Sequence, residues 1–479
     1  MRHEVFRMDN VTNESYGITQ LSRFNLQIFC GEIMGLMPLN SHGVESLIAL
    51  MQKNTAIHFG RVYCEEQLVN SHLYRRPEPN PIVIIEKKSH LMEGLSVADN
   101  VFILSQTDQS WLVRTKQFQQ QLEVLEKAVG VHIPDGVLVE RLSFFQRCIV
   151  ELLKATVSGA RLVVVRDVGH YITGNELLEL HRAIRYFAGT GISFFYICNN
   201  YSEAADICDR VALMYDGTIS KVLRQKELDG KLVAELIHQI AGVTTERIHS
   251  WQQRRDVCFH MQNVSCSVCH NLNLEIHSGE CVVLHNEDQS LLDGLKQIFT
   301  GEDSIRQGTI LLRGKRIKGP LVRNRDFAYI AENSAKTMLF PDLTYLDNLT
   351  FGMDEEMRAP GKRRAIHKSL QKELREEIGG ILDKNLIDLT VYEQYWLVFH
   401  RVLLQRPQIV FCEQPFLGCD IYLRSYVIEL VRKLLEHGIA VVVLVVGLYD
   451  TFSLADRDLV YRNGTIAEWF GEVPAVTEL

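Results

Sequence analysis

Short apolar runs, separated by stretches whose apolar positions recur every three or four residues, set the rhythm of this chain. Residues 162–165, 192–197, 409–412 and 440–446 are apolar at nearly every position. Strands that hydrophobic, alternating with helical stretches, are the pattern of a parallel sheet covered on both faces. Two other segments, 24–29 and 272–276, alternate apolar with polar residues and read as half-buried strands. The longest apolar run, around 441–446, has the length of a buried strand and falls well short of the ~20 residues a membrane helix needs. Charged helical segments lie between, for instance 354–377. Its KRRAIHK run is interleaved with acidic residues and reads as a solvated helix face, not a nucleic-acid patch.

The pattern occurs twice. GEIMGLM begins at Gly31 and GECVVLH at Gly279, an offset of 248. LSVADN from Leu95 returns as LTYLDN from Leu343, again at 248, and DRVALMYDGTI from Asp209 returns as DRDLVYRNGTI from Asp456, at 247. Three markers on one offset mean duplicated domains. The expected organisation is one domain over 1–242, a short polar linker over 243–255 and a second domain over 256–479. A chain of 479 residues suits two cores better than one.

Composition narrows the partners. A net charge of −8 argues against nucleic acid as the main partner. The N-terminal MRHEVFRMDN carries no apolar signal region, so the chain is expected in the cytoplasm, at most peripheral at the inner face of the cell membrane and without direct membrane insertion. Eleven cysteines then read as reduced, mostly buried thiols. Cys266-Ser-Val-Cys269-His270 has the spacing of covalent haem attachment. It sits where the first copy runs strand–turn–strand, and the expectation is a structural turn binding neither haem nor metal.

Phosphate chemistry belongs after the first apolar strand of each copy. A P-loop there needs glycines so that backbone N–H groups can wrap phosphates, a lysine for charge and a hydroxyl for Mg²⁺. The first copy instead reads Pro38-Leu39-Asn40-Ser41-His42-Gly43-Val44-Glu45-Ser46. In its frame the chain resembles, over essentially its whole length, the tandem ATP-binding-cassette (ABC) ATPases of bacterial monosaccharide importers of the ribose, galactose and xylose class, whose loop is G-E-N-G-A-G-K-S-T. Asn40 and Gly43 survive. Pro38 stands for a glycine and has no N–H to donate; Val44 replaces the lysine and Glu45 the metal-binding hydroxyl. Lys87 stands at the glutamine of the glutamine loop. Leu142-Ser143-Phe144-Phe145-Gln146 occupies the signature L-S-x-G-Q. Arg166-Asp167 replaces the strand-end Asp-Glu, Asn199 the switch histidine, and Tyr16 fits the aromatic that stacks on adenine. Thr173 and Glu176 keep the sugar-importer pattern. In the second copy no glycine occurs from Cys281 to Asp293. There Thr390 to Glu393 stand for the signature, Glu413-Gln414 for Asp-Glu, and Val446 or a neighbour for the histidine.

The resemblance implies an α/β fold of two tandem P-loop-NTPase-like nucleotide-binding domains, each with a mostly parallel sheet, an antiparallel β edge and a helical subdomain. It also implies intramolecular pairing, with each nucleotide held between the loop of one copy and the signature of the other. Every such element is altered. Losing lysine, metal ligands and nest donors together is expected to cost on the order of 5 kcal/mol or more, enough to move a micromolar site beyond millimolar. Gln414 has no useful pKa for taking a proton from water. The expectation is therefore no catalytic residue, and no ATP or Mg²⁺ unless the chain works as an ordinary energising importer subunit. Glu45 and Arg166, at the two positions that meet on Mg²⁺ in the family, are expected to pair. Lys87 is a weaker candidate phosphate binder, and Asp293 and Glu413 fall at the corresponding pair in the second copy. The segments near Leu95 to Asn100 and Leu343 to Asn348 correspond to the family's docking region for a permease. The first expectation is thus a non-hydrolysing regulator, scaffold or silent subunit beside a permease or sensor membrane protein of a sugar system. The alternatives are a working importer ATPase and a soluble tandem-cassette translation factor, the last disfavoured by the short linker and acidic chain.

Overall fold

A computed structural model describes residues 3–15, 17–102, 137–228, 256–286, 290–352, 362–379, 384–446, 455–462 and 464–469, with isolated positions elsewhere. Tyr16, residues 353–361 of the charged segment and the whole linker region 243–255 lie outside the described residues. The chain divides into two compact units, the first comprising Met1–Thr245 with Asp420–Tyr422 and the second Glu246–Cys419 with Leu423–Leu479.

In the first unit, β1 (Glu4–Ser15), β2 (Ile18–Phe29), β4 (Phe59–Cys64) and β5 (Gln67–Ser71) form an antiparallel sheet in the order β2-β1-β4-β5. A second sheet has the order β10-β9-β3-β8-β7-β6. It contains β3 (Ile33–Pro38), β6 (Ile82–Ile85), β7 (Leu162–Arg166), β8 (Ser193–Ile197), β9 (Arg210–Tyr215) and β10 (Thr218–Arg224). All its pairings are parallel except β9–β10.

The second unit repeats this plan. β11 (Val257–Ser265), β12 (Leu272–His277), β14 (Gln307–Leu312) and β15 (Lys315–Arg316) form the antiparallel sheet. The other sheet runs β16-β17-β18-β13-β19-β20, from β13 (Cys281–Asn286), β16 (Phe327–Ile330), β17 (Ile409–Glu413), β18 (Ala440–Val446), β19 (Arg457–Arg462) and β20 (Thr465–Glu468). Each strand pairs as its counterpart does in the first unit. β18 shows why the apolar run is unbroken: Val441, Val443 and Val445 pack into one core and Ala440, Val442, Leu444 and Val446 into another, on the opposite face. Leu272–His277 alternates buried and exposed as its sequence predicts.

The repeated markers turn out to be partners. In the first unit Glu32 is buried and receives Arg210 Nε at 2.6 Å and Nη2 at 3.0 Å, while Asp209 Oδ2 accepts the Ile33 N–H at 2.9 Å. In the second, Arg457 Nε lies 2.6 Å from buried Glu280, and Asp456 Oδ2 accepts the Cys281 N–H at 2.8 Å. The Gly-Glu and Asp-Arg pairs thus tie the start of one central strand to the start of its neighbour in each unit.

The Leu-Ser-Val-Ala-Asp-Asn marker and its copy are also clamps. Asn100 is fully buried, accepts the Met92 N–H at 2.7 Å and donates to the Met92 and Ser96 carbonyls. Asn348 does the same for Phe340, Leu343 and Thr344. Cys266 and Cys269 close a turn (Cys266 N–H to Cys269 O, 2.8 Å) with both thiols fully buried. A Cβ on Gly294, in the helix above them, would stand 2.5 Å from Cys269 Sγ, so the CxxC pair packs there as core. The helix Lys362–Ile378 exposes Lys362, Arg364, Lys368, Lys372, Glu373 and Arg375 and buries Leu370 and Leu374.

Candidate functional site

β3 delivers the first unit's loop. Pro38 ends the strand, Leu39 donates its N–H to Met214 O at 2.8 Å, and helix α1 (Val44–Lys53) follows. Gly43 has φ +83°, and a Cβ there would sit 2.3 Å from Gln20 O, so this glycine survives for a steric reason. Asn40 is tied to the Asp216 turn: its Nδ2 donates to Asp216 Oδ1 at 2.6 Å and its Oδ1 accepts the Asp216 N–H at 3.2 Å. Val44, at the lysine position, is buried among Leu21, Leu36, Leu47 and Met214 in the core. Ser46 is half-buried on the same helix.

Glu45 and Arg166, the pair expected from the sequence, are in contact. Arg166, at the end of β7, donates from Nη2 to Glu45 Oε1. The guanidinium meets two more carboxylates, Glu86 through Nη1 at 3.6 Å and Asp167 through Nε at 3.6 Å. Arg166 is half-buried whereas Glu45 is exposed. Burial disfavours the charged guanidinium, but the Glu45 hydrogen bond and the surrounding carboxylates outweigh it and raise its pKa. Asp167 adopts a left-handed conformation (φ +49°), and desolvation raises its pKa against the lowering charges of His170 and Arg166. One cation therefore sits among three carboxylates. Glu86 was not among the residues singled out from the sequence. Its signal was its place at the strand end, one residue before the glutamine-loop position. Lys87 lies with its ammonium over the Tyr171 ring at 4.6 Å. Asn199 follows β8 by two residues and is half-buried.

The signature segment keeps what a helix start needs. Ser143 caps the helix Phe144–Val157: its Oγ accepts the Gln146 N–H at 3.2 Å, and Gln146 Oε1 accepts the Ser143 N–H at 3.0 Å. Phe145, in the glycine's place, is buried. In the second unit Thr390 caps Val391–Gln405 in the same way with Glu393, whose other oxygen takes Lys384 Nζ at 3.0 Å. Partial desolvation of Glu393 is outweighed by the Thr390 N–H and Lys384, and its pKa falls. Thr173 and Glu176 form a third such box. These are reciprocal caps that satisfy helix-start N–H groups.

At the second unit's strand end, Glu413 is buried, accepts from Tyr329 Oη, and lies 3.4 Å from the Glu332 N–H and 3.9 Å from Lys296 Nζ. Burial, followed by the charge of Glu413, pushes the Tyr329 hydroxyl strongly upward. Gln414 repeats the left-handed conformation of Asp167, with φ +42°. Residues 287–289 of the preceding loop lie outside the described residues; Val446 ends β18 buried.

No protein-family model matches the chain. Curated proteins do. The chain is 24% identical over 491 residues to a ribose import ATP-binding protein (RbsA) of Bacillus cereus, covering 98% of this chain and 97% of that protein. It is 20% identical to a xylose import ATP-binding protein (XylG) of Geobacillus kaustophilus, covering 100% and 98%. Among solved structures, an RNase-L inhibitor superposes over 96% of this chain and 90% of its own, with a TM-score of 0.60 at 15% identity. A ribosome-bound archaeal Pelota and ABCE1 structure gives 0.62, covering 96% and 78%, also at 15%. At that identity these structures establish the fold alone. Among the described residues no helix is long and apolar enough to cross a membrane.

Proposed function

Taking the chain as a divergent relative of the sugar-importer cassette ATPases, which it resembles end to end, we propose that it is a non-hydrolysing cassette protein. It serves as a regulatory, scaffold or silent subunit beside a membrane component of a sugar uptake or sensing system, from the cytoplasmic side. One observation supports this reading: the guanidinium of Arg166 is held by Glu45, Glu86 and Asp167, and Arg166 and Glu45 stand where the resemblance implies metal ligands.

These residues do not fit a magnesium triphosphate. A guanidinium cannot ligate a cation, and the cluster is already net negative. Each further like-charge pair about 5 Å apart costs about 3 kcal/mol at an effective dielectric of about 20. Val44 is buried in the core where a lysine would reach for phosphate. What persists of the motifs has other work: Gly43 relieves a steric clash, Asn40 fastens a turn, and Ser143, Gln146, Thr390 and Glu393 cap helices. The proposed docking regions, Leu95 to Asn100 and Leu343 to Asn348, are held by the same kind of loop-binding asparagine, so a partner would meet a preformed surface.

Phosphate release by the purified full chain in excess Mg²⁺-ATP tests the proposal, with and without membranes carrying its permease. The expected result is release at background in both. Sustained turnover in either would overturn the reading in favour of an energising importer subunit.

A further inference from the structure

The charge that favours phosphate has not vanished from this molecule; it lies elsewhere, around the β14–β15 hairpin. From Arg306 to Arg325 the chain carries seven basic residues and no acidic one, in a protein whose net charge is −8. All seven are exposed. The corresponding stretch of the first unit, 58–77, holds three basic residues and two acidic. The backbones match: both hairpins turn through two left-handed residues, Glu65-Glu66 in the first unit and Arg313-Gly314 in the second. The contrast therefore lies in the side chains. Glu65 lies 3.6 Å from the Arg161 guanidinium, and Glu66 is hydrogen-bonded to His3 Nδ1 at 2.8 Å. Arg306, Arg313, Lys315, Arg316, Lys318 and Arg323 form no salt bridge with any described residue.

Three of these cations line a cavity of about 770 Å³. Arg306, Arg316 and Lys318 share its wall with Ser304, Gln307 and Thr309. In the first unit the same three positions are His58, Leu68 and Asn70. One carboxylate, Asp303, also borders the cavity. Hydrogen bonds from the Ser267 hydroxyl and N–H hold its pKa down, and the Ser304 N–H binds its other oxygen, so its lone pairs are largely taken. With three cations against this one carboxylate the wall is net positive, and a concave site of net positive charge focuses potential on anions. The volume is that of a small-molecule site, and Ser304, Gln307 and Thr309 add polar groups to a wall that also includes Ile305, Ile310 and Ile317. The stretch from Arg306 to Arg325 includes no aromatic side chain on which a base could stack, which disfavours single-stranded nucleic acid.

We propose that this cavity binds a small soluble anion bearing two or more phosphate groups, through Arg306, Arg316 and Lys318. The site lies in the second unit and does not depend on the function proposed above.

Calorimetric titration of the full chain with pyrophosphate at low ionic strength tests this. Saturable binding is expected, weakened on the order of tenfold or more in the triple variant Arg306→Gln/Arg316→Gln/Lys318→Gln. It is also expected to weaken as salt rises and to be unchanged in Arg61→Gln. The substituted side chains are exposed, and unchanged cooperative unfolding of the triple variant would establish that it folds. Absence of binding overturns the proposal, as does binding that the triple variant leaves intact. So does binding that Arg166→Ala abolishes, which would move it to the first unit's pocket. Binding confined to phosphatidylglycerol vesicles or to an RNA oligonucleotide, with none to pyrophosphate, also overturns it.

Discussion

Glu32→Ala removes a carboxylate only 4% exposed that receives two guanidinium nitrogens of Arg210 and the Phe29 N–H. Deleting one partner of a buried ion pair costs about 3–5 kcal/mol, because the charge left behind stays poorly solvated. Arg210 keeps partial access to water and still donates to Gln27 O, which places the expected loss near the lower end, about 3 kcal/mol. For a unit of this size that is roughly a 6–12 °C drop in Tm. Thermal and urea unfolding followed by circular dichroism would measure it, with Arg210→Ala and the double variant completing a cycle. The two single losses should not add in the double variant. Glu280→Ala should do the same in the second unit, where the pair recurs with Arg457. A loss below about 1 kcal/mol for Glu32→Ala, the value of an exposed pair, would refute the claim that these markers persist as strand clamps.

Other outcomes follow from the same geometry. Ser143→Ala and Thr390→Ala should each destabilise by about 0.5–2 kcal/mol, the worth of a helix cap, as read from urea midpoints. No change in either would return the signature remnants to a functional explanation. Glu151 is buried, and desolvation, opposed by the His90 N–H and Ser89 hydroxyl, raises its pKa to about 7 from 4.5. The native state thus holds a proton that the unfolded chain releases between those values. The contribution of Glu151 to stability is fullest below about pH 4.5 and falls by roughly 3 kcal/mol as pH rises through 7. Glu151→Gln should flatten that slope in pH-dependent unfolding; an unchanged slope would exclude Glu151 as its source. Gly294→Val should destabilise the second unit by about 1–3 kcal/mol through overpacking against the buried Cys266–Cys269 turn. A stability equal to the parent chain's would deny that packing.

The fold was readable because its signals are periodic and repeated. The unbroken β18 run announced a strand buried on both faces, and the alternation of Leu272–His277 a half-exposed one. The Glu45–Arg166 contact followed from alignment, since substitution at two positions that share a ligand leaves two side chains facing each other. Glu86 and Tyr329 escaped notice because their roles depend on which side chains the strand ends bring within reach, with no fixed spacing in sequence. Asn100 and Asn348 were read as parts of a docking region, and their hold on backbone groups of the preceding loop was not foreseen. Backbone partners leave no residue signature. The basic hairpin was missed for a different reason: the overall charge of −8 hides a local excess of the opposite sign.

The central proposal is that the Glu45–Arg166 ion pair stands in place of the metal and phosphate ligands that the resemblance implies. Equilibrium titration of the full chain with ATP, with and without Mg²⁺, probes this most directly. The account predicts no saturation of the first unit up to millimolar nucleotide, and any residual binding insensitive to Mg²⁺ and to Arg166→Ala but lost with Arg306, Arg316 and Lys318. Micromolar binding that requires Mg²⁺ and survives loss of those three cations would contradict it.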